Sequence, residues 1–409
     1  MRYLEQPEFG QLVSSLRHER GLSQVEIAGA GVSASYVSRL ESGHRAPTAH
    51  AVRGLAARLG VSEDVFRARS SHVAATLQAE GMSALDDARP RLAVESLTEA
   101  AAEAEEATSE VLWQVLWHLA RAHQQLGERA EQRRALERCL AAADGHGSPV
   151  LQVKALVALA ACAQEAGGIE ESVAFAHRAL TLCDDRREVS RTDTARTLLA
   201  LVAAETEAGR LGDASHHADL ARLIPVEELG PLRVRVLWAS ATVAVRQGAG
   251  RRGLELLEEA LDAAARRDDL LLWGRLRLDA VALRLRLTGE VTDQVEEWYA
   301  EARTVVELIG GRAHRAELLA VQARMALVRG DCEQAATLAR QVLAEPGALD
   351  RHNRARTELL LHQAEVARGD GSAPIAELRA MAERLQADGS LDLAAEAWKA
   401  LADALAAGG

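Results

Sequence analysis

The chain has 409 residues, 48% of them apolar but only 3% aromatic, so alanine and leucine must supply most of the hydrophobic mass. With only 8 prolines, this balance excludes a disordered chain and a β-sandwich or barrel, and predicts an all-α protein. The net charge of −12 divides unevenly: residues 1–70 hold nine arginines against seven acids, +2, and the remainder carries −14, the asymmetry expected of a head that meets a polyanion.

Phe9, Leu12, Val13 and Leu16 recur at helical spacing, and Gly21 stops that helix. Ser23 is placed to cap a short second helix, with Glu26 completing a capping box, and Gly29-Ala30-Gly31 forms a tight turn. Ser33 caps a third helix over Ala34–Glu41, which Gly43 and Pro47 end; Thr48 caps a fourth that runs to Leu59, and Ser62 a fifth. Two short helices joined by a glycine turn predict a helix-turn-helix in a five-helix head, residues 1–70. The small residues Ser33, Ala34 and Ser35 would let the second of the pair approach base edges closely.

The stretch Arg20-Gly21-Leu22-Ser23-Gln24-Val25-Glu26-Ile27-Ala28, then Val32-Ser33-Ala34-Ser35-Tyr36-Val37-Ser38-Arg39-Leu40-Glu41-Ser42-Gly43, resembles the Cro/phage-repressor (XRE) type of helix-turn-helix. The turn after Ala28 is one residue shorter than the common pattern. The resemblance implies a dimer on a two-fold site in double-stranded DNA. It implies that Ala34, Ser35 and Arg39 face base edges, Arg39 being suited to bidentate reading of guanine. Gln24, Ser33, Ser42, His44 and Arg45 would touch the DNA backbone. An ion pair between Arg39 and Glu41 is the alternative for that arginine. Tyr36 is open between a core edge and a phosphate contact; Val37, Leu40, Leu55 and Leu59 read as core.

Beyond residue 70, Gly127, Gly168, Gly209, Gly248, Gly289, Gly330, Gly369 and Gly408 follow at steps of 39 or 41 residues. The first seven each end one apolar-periodic stretch and precede another, so the unit is helix, glycine turn, helix: the signature of an α-solenoid. Pro90, Pro149, Pro231 and Pro374 fall near helix starts, and Pro225 and Pro346 just past helix ends. Arg324-Met325-Ala326-Leu327-Val328-Arg329-Gly330-Asp331-Cys332-Glu333-Gln334-Ala335, with Val342-Leu343 and Pro346, resembles a tetratricopeptide (TPR) repeat; Thr206–Gly209 with Ala214, Ala221 and Pro225 repeats the plan. Residues 71–409 are therefore read as a TPR-like α-solenoid of about eight helix pairs, capped by a final helix from Leu391 to Ala406.

First helices of such pairs line the concave face. Arg121, Gln124, Arg196, Arg235, Thr242, Arg286, Arg324, Arg356 and Gln363 fall where that groove should be. An arginine-lined groove suits an anionic ligand or a peptide carboxylate; a solvated face of paired charges is the alternative. Trp117, Trp238 and Trp398, each ten residues before a turn glycine, read as packing residues, and the less regular Trp113 and Trp273 as groove residues.

Other motifs carry no chemistry. Gly248-Ala249-Gly250-Arg251-Arg252-Gly253 spells a dinucleotide fingerprint but follows a helix, so it reads as a repeat turn. The adjacent His216 and His217 point different ways on a helix and make a poor metal site. Cys139, Cys162, Cys183 and Cys332 contain no C-x-x-C pair and read as small buried hydrophobes. No secretory signal, membrane span, catalytic motif, metal site or cofactor site is expected, which predicts a cytoplasmic protein that is not an enzyme.

A Cro-type head on a TPR-like body resembles the peptide-pheromone receptor regulators of Gram-positive bacteria. That resemblance implies a homodimer in which a peptide enters the groove and alters the spacing of the heads. Such receptors commonly hold peptide backbone with groove asparagines, and this chain has one asparagine, Asn353. A small anionic effector therefore stands beside a peptide, and a DNA-associated scaffold that recruits a partner protein stands beside both.

Overall fold

The computed structural model describes residues 3–4, 6–29, 32–66, 70–104, 109–185, 188–369, 373–387 and 390–407. Their regular elements are helices, with an isolated bridge between Gly29 and Val32. The chain divides into two compact units, residues 1–155 and 156–409.

The first unit opens with α1 (Glu8–Glu19), α2 (Ala34–Glu41), α3 (Ala49–Leu59) and a single 3₁₀ turn, Glu63–Phe66. Ser33 and Thr48 cap α2 and α3 as expected, accepting from the amides of Tyr36 and Ala51 at 3.2 and 3.3 Å. The head has its own core: Phe9 and Val13 of α1, Ile27, Val37 and Leu40 of α2, Val52, Leu55 and Leu59 of α3, closed by Phe66 against Phe9 with ring centroids 5.4 Å apart. Helices α1 and α2 cross at Gly10, where a β-carbon would stand 2.1 Å from the Leu40 carbonyl oxygen, so no other residue fits.

Two of the five expected helices shrink. The capping contacts at Ser23 form, with its amide donating to Glu26 Oε2 at 2.7 Å and the Glu26 amide donating to Ser23 Oγ at 3.3 Å. Yet only one turn, Gln24–Glu26, follows before Gly29 with φ of 137°. The segment is too short to repay helix nucleation, and its cap serves a turn. Likewise Ser62 precedes one 3₁₀ turn. Ala30 and Gly31, expected in the inter-helix turn, lie outside the described residues.

The rest of the first unit comprises α4 (Ser70–Asp86), α5 (Pro90–Ala104), α6 (Ser109–Leu126), α7 (Arg129–His146) and the start of α8 (Pro149–Glu165). The second unit holds the end of α8, then α9 (Ile169–Asp185), α10 (Arg191–Glu207), α11 (Leu211–Arg222), the short α12 (Val226–Leu229), α13 (Leu232–Arg246) and α14 (Gly250–Ala263). It continues with α15 (Leu270–Thr288), α16 (Asp293–Ile309), α17 (Arg312–Val328), α18 (Cys332–Leu343), α19 (Arg351–Arg368), α20 (Ala373–Ala387) and α21 (Leu391–Ala407). The expected helix pairs are present, α4 with α5 through α19 with α20, with α12 as an extra turn and α21 following the last pair. First helices also pack on one another, α10 on α13, α15 on α17 and α17 on α19, which is the TPR arrangement.

Gly127, Gly209, Gly248, Gly289, Gly330 and Gly369 turn the hairpins with φ between 67° and 83°. In the hairpin of α8 and α9 the left-handed residue is Gly167 rather than the expected Gly168. Gly408, last of the glycine series, lies outside the described residues. Alanine sets the close contacts: Ala195, Ala214, Ala323, Ala335, Ala339 and Ala364 are fully buried. The spurious fingerprint resolves into geometry, Gly248 being the turn residue and Gly253 packing so closely that a β-carbon would lie 2.6 Å from Val245 Cγ2. Pro90 and Pro149 open α5 and α8, while Pro225 and Pro346 follow the ends of α11 and α18. Among the described residues, no helix is long and apolar enough to cross a membrane.

The first hairpin turns without glycine, on Ala88 at φ 55°. A left-handed residue with a β-carbon costs about 1–2 kcal/mol, more than glycine loses in chain entropy. Ala88→Gly should therefore stabilise the α4–α5 hairpin by about 0.5–1 kcal/mol, read as a rise in thermal midpoint and slower amide exchange in α5.

Candidate nucleic-acid interface and ligand groove

Helix α2 turns Val37 and Leu40 into the head core and leaves Ser35, Ser38, Arg39 and Ser42 exposed. Its mounting is ionic. Glu41 accepts from Arg17 Nε and Nη2 at 2.7 and 2.9 Å and from Gln24 Nε2 at 2.8 Å. The side chains of Arg17 and Glu41 are only 11% and 8% exposed. One carboxylate thus ties α1, the Gln24 turn and α2 together. Burial pushes the Glu41 carboxyl up, but the hydrogen bonds from Arg17 and Gln24 outweigh it and leave it below the ordinary glutamate value.

This clamp bears on the two alternatives for Arg39. Glu41 is engaged elsewhere, and Arg39 has no carboxylate partner among the described residues; it bonds along its own helix to Ser35 O and Oγ at 3.3 and 3.4 Å. Ala34 is half-buried beside exposed Ser35. Ser33 Oγ is engaged in the cap, and His44 Nδ1 lies 2.9 Å from Ser42 Oγ, both exposed. The Tyr36 hydroxyl is buried without a hydrogen-bond partner among the described residues, and Arg45 covers its ring at 4.7 Å, which puts Tyr36 at the core edge. Gln24 is half-buried, its amide nitrogen committed to Glu41.

In the second unit, α13, α15, α17 and α19 line a cavity of about 290 Å³. Of the residues expected in a groove, Thr242, Arg286, Arg324 and Arg356 line it, and Gln363 accepts from Arg324 Nη1 at 3.0 Å. Sequence reading missed Trp238, Arg246, Arg275, Asp279, Glu317 and His352, which line it too. Trp238 Nε1 donates to Asp279 Oδ2 at 2.6 Å, and the Arg275 guanidinium sits 4.8 Å from the Trp238 ring centre. Asp279 stands ten residues before Gly289, the place Trp238 holds before Gly248, so the repeat period itself brings the pair together. Asn353 lines the cavity as well, its amide nitrogen 2.8 Å from Asp350 Oδ2.

The groove perturbs its charged groups. Burial, with the neighbouring Arg356 charge, pushes Arg324 down to about 10 against the pull of Glu396. Arg356 falls to about 10 through burial and the Arg286 charge. His352 is pushed down to about 2 by burial, then by Arg356, Arg246 and Arg286, so it is neutral. Burial lifts Glu317 to about 7 despite Arg275.

The other expected groove residues lie elsewhere. Arg235 and Trp273 line a second cavity of about 540 Å³, where Arg235 pairs with Asp269 at 3.2 Å. Trp273 is buried between Arg277 and Arg266, whose charges lie 3.4 and 4.3 Å from its ring centre. Both arginines bond Glu301, so Trp273 is a packing anchor. Arg196 pairs with Asp193 on its own helix. Trp113 is a core residue, 6% exposed and stacked on Trp117 at 5.1 Å, because its place on α6 faces inward; Arg121 and Gln124 of that helix are exposed. Of the histidine pair, His217 Nδ1 donates to the buried Glu205 carboxylate at 2.8 Å, a structural contact.

Residues 8–68 match the helix-turn-helix domain family. No curated protein matches the chain. Among solved structures, the apo form of the quorum sensor NprR from B. thuringiensis shares 10% identity over 98% of each chain, with a TM-score of 0.53. A Rap protein complexed with Competence and Sporulation Factor shares 13% identity over 84% of this chain and 88% of its own, with a TM-score of 0.51. Aspartyl phosphate phosphatase F from Bacillus subtilis shares 12% identity over 89% and 85%, with a TM-score of 0.50. At these identities the likeness is one of fold: the chain joins a helix-turn-helix domain to a TPR-like helical body.

Arg17→Met would leave Glu41 buried and short of its charge partner, at a cost to the head of about 3 kcal/mol or more, measured as lost exchange protection of the α2 amides. The Glu41 contribution is present above the ordinary glutamate range and disappears as pH falls through its lowered folded value. The α2 protection of the unaltered chain should show that acid step, and the variant should lack it.

Proposed function

We propose that the protein is a sequence-specific DNA-binding transcription regulator of the cytoplasm. Its head, residues 1–70, reads duplex DNA with α2, and its body, residues 71–409, dimerises and senses a ligand in the groove of the second unit. Arg39 carries this reading: a guanidinium on the outer face of α2, bonded among the described residues only along its own helix, with the nearest acid on that helix already held by Arg17 and Gln24. Ala34 and Ser35 leave room for close approach to base edges, and Gln24, Ser33, Ser42, His44 and Arg45 flank that surface as backbone contacts, Arg45 lying over the core-edge Tyr36. The sensing role is supported by a cavity walled by first helices, lined by both charges and an indole, in a fold shared with a quorum sensor. A homodimer would present two α2 helices to a two-fold site.

A second reading, a TPR scaffold that recruits a protein partner to DNA, is favoured by one surface. Leu220, Leu223 and Val226, on and just after α11, are 37%, 79% and 48% exposed.

Binding of the full chain to duplexes selected from a random pool tests the DNA role. Arg39→Ala should cost about 1–3 kcal/mol at one base position per half-site and relax preference there. Arg45→Ala should weaken all duplexes about equally and lower the salt slope by about 1. Unchanged base preference in Arg39→Ala would remove α2 readout from the account.

A further inference from the structure

The groove arginines are short of partners. Arg286 of α15, Arg324 of α17 and Arg356 of α19 line one cavity and feel one another's charge. Arg324 donates through Nη1 to the neutral amide of Gln363, while its Nη2 is buried with no hydrogen-bond partner among the described residues. Arg286 Nη1 and Arg356 Nε and Nη2 are buried and unbonded in the same way. Their opposing carboxylates come from α21 and stand off: Glu396 is 3.7 Å from Arg286, and Asp392 is 3.7 Å from Arg356, both beyond hydrogen-bond reach. Asp392 Oδ2 is itself unbonded, 3.3 Å from His352, which is neutral. Three guanidiniums therefore face two slack carboxylates of α21, and Asp279, whose charge also reaches Arg286 and Arg356, is bonded to Trp238 instead. Buried donors left unmade are costly, and such a cluster calls for a further acceptor.

We infer that this cluster is a carboxylate site: a ligand oxygen pair completes the donors of Arg286, Arg324 and Arg356, and the apolar part of the ligand lies on Leu278, Val321 and Leu360. This rests on the sensing role proposed for the groove. The planar fork of arginine matches a carboxylate in two parallel bonds, and the neutral imidazole of His352 adds no competing charge. The cavity of about 290 Å³ holds roughly ten waters' volume, the size of a small organic acid or of the C-terminal residue of a peptide. These two sources share the recognised chemistry. Helix α21 is fixed to α19 and α20 through Leu393, Ala397 and Leu401 packed with Leu359 and Leu378. It holds Asp392 and Glu396 close to the positions that a bound carboxylate would take. The pair acts as a tethered, ill-fitting competitor, and a ligand carboxylate loosens α21 from the arginines.

Calorimetric titration of the full chain at fixed ionic strength tests the site with four probes: isovalerate, an N-acetylated tetraalanine acid, its C-terminal amide, and inorganic phosphate. Isovalerate, the peptide acid or both should bind with Kd of about 1 mM or tighter. The amide should bind at least about tenfold more weakly than its acid. Isovalerate alone points to a metabolite, the peptide acid alone to a peptide terminus. Arg324→Gln should cost about tenfold or more, and Asp392→Asn should tighten binding several-fold by removing the competitor. Arg324→Lys, which keeps the charge but loses the fork, should fall between. The site is overturned if neither carboxylate binds, if the peptide acid binds but its amide binds equally well, if phosphate binds more tightly than both, or if a folded Arg324→Gln binds as tightly as the unaltered chain. Should Arg324→Gln not fold, the acid and amide titrations decide. A carboxylate that binds through Arg324 yet leaves affinity for the selected duplex unchanged would retain the site and remove sensing. A probe that shifts duplex affinity equally in Arg324→Gln would retain sensing and remove the site.

Discussion

Each helical hairpin of the body must reverse its chain within a few residues, and a left-handed residue does so while satisfying the last carbonyls of the first helix. A residue with positive φ turns each described hairpin, glycine in all but one, whereas α16 passes to α17 through Gly310 and Gly311 at φ of −70° and −76°. Because the reversals recur at nearly constant intervals, like positions of successive first helices come to lie side by side. The groove is the sum of those coincidences. Trp238 and Asp279 meet because they are equivalent, 41 residues apart, and Arg324 reaches Gln363 across 39 residues for the same reason. Alanine at the helix contacts keeps the hairpins close enough for such bonds to form.

The two working surfaces solve opposite electrostatic problems. On the head, a single carboxylate is fully satisfied so that a neighbouring arginine on the same helix stays uncommitted. In the groove, burial first and neighbouring charges second lower His352, Arg324 and Arg356, while the carboxylates beside the arginines stand beyond hydrogen-bond reach or, like Asp279, are held by another partner. Buried charged donors without acceptors are expensive to hold alone, which is why their completion by something outside the fold is a natural reading.

Much of the fold was legible from residues alone. The glycine period, the caps at Ser33 and Thr48 and the placement of prolines announce the helices and their turns, and the apolar pattern from Leu391 announces the last helix. The site was legible only in outline. Thr242, Arg286, Arg324 and Arg356 line the cavity, but Trp113 is core and Trp238 lines the cavity, the reverse of the expectation, since one step along a helix swings a side chain by about 100° and inverts inside and outside. The second helix of the head was overread because its capping box is real; capping chemistry does not count the residues that follow it. The clamp of Arg17 on Glu41 spans 24 residues, and the stand of Asp392 and Glu396 beside the groove arginines is set by how α21 docks. Neither is written in local spacing.

The clamp has an evolutionary corollary. Helix α2 is fastened from beneath, by Glu41 to Arg17 and Gln24 and by Val37 and Leu40 to the core, while among the described residues the side chains of Ser35, Ser38 and Arg39 on its outer face bond nothing outside α2. Ser35, Ser38 and Arg39 are therefore open to replacement without a structural penalty. A lineage carrying this head could drift from one recognised sequence to another by substitutions on that face alone, its scaffold unaware of the change.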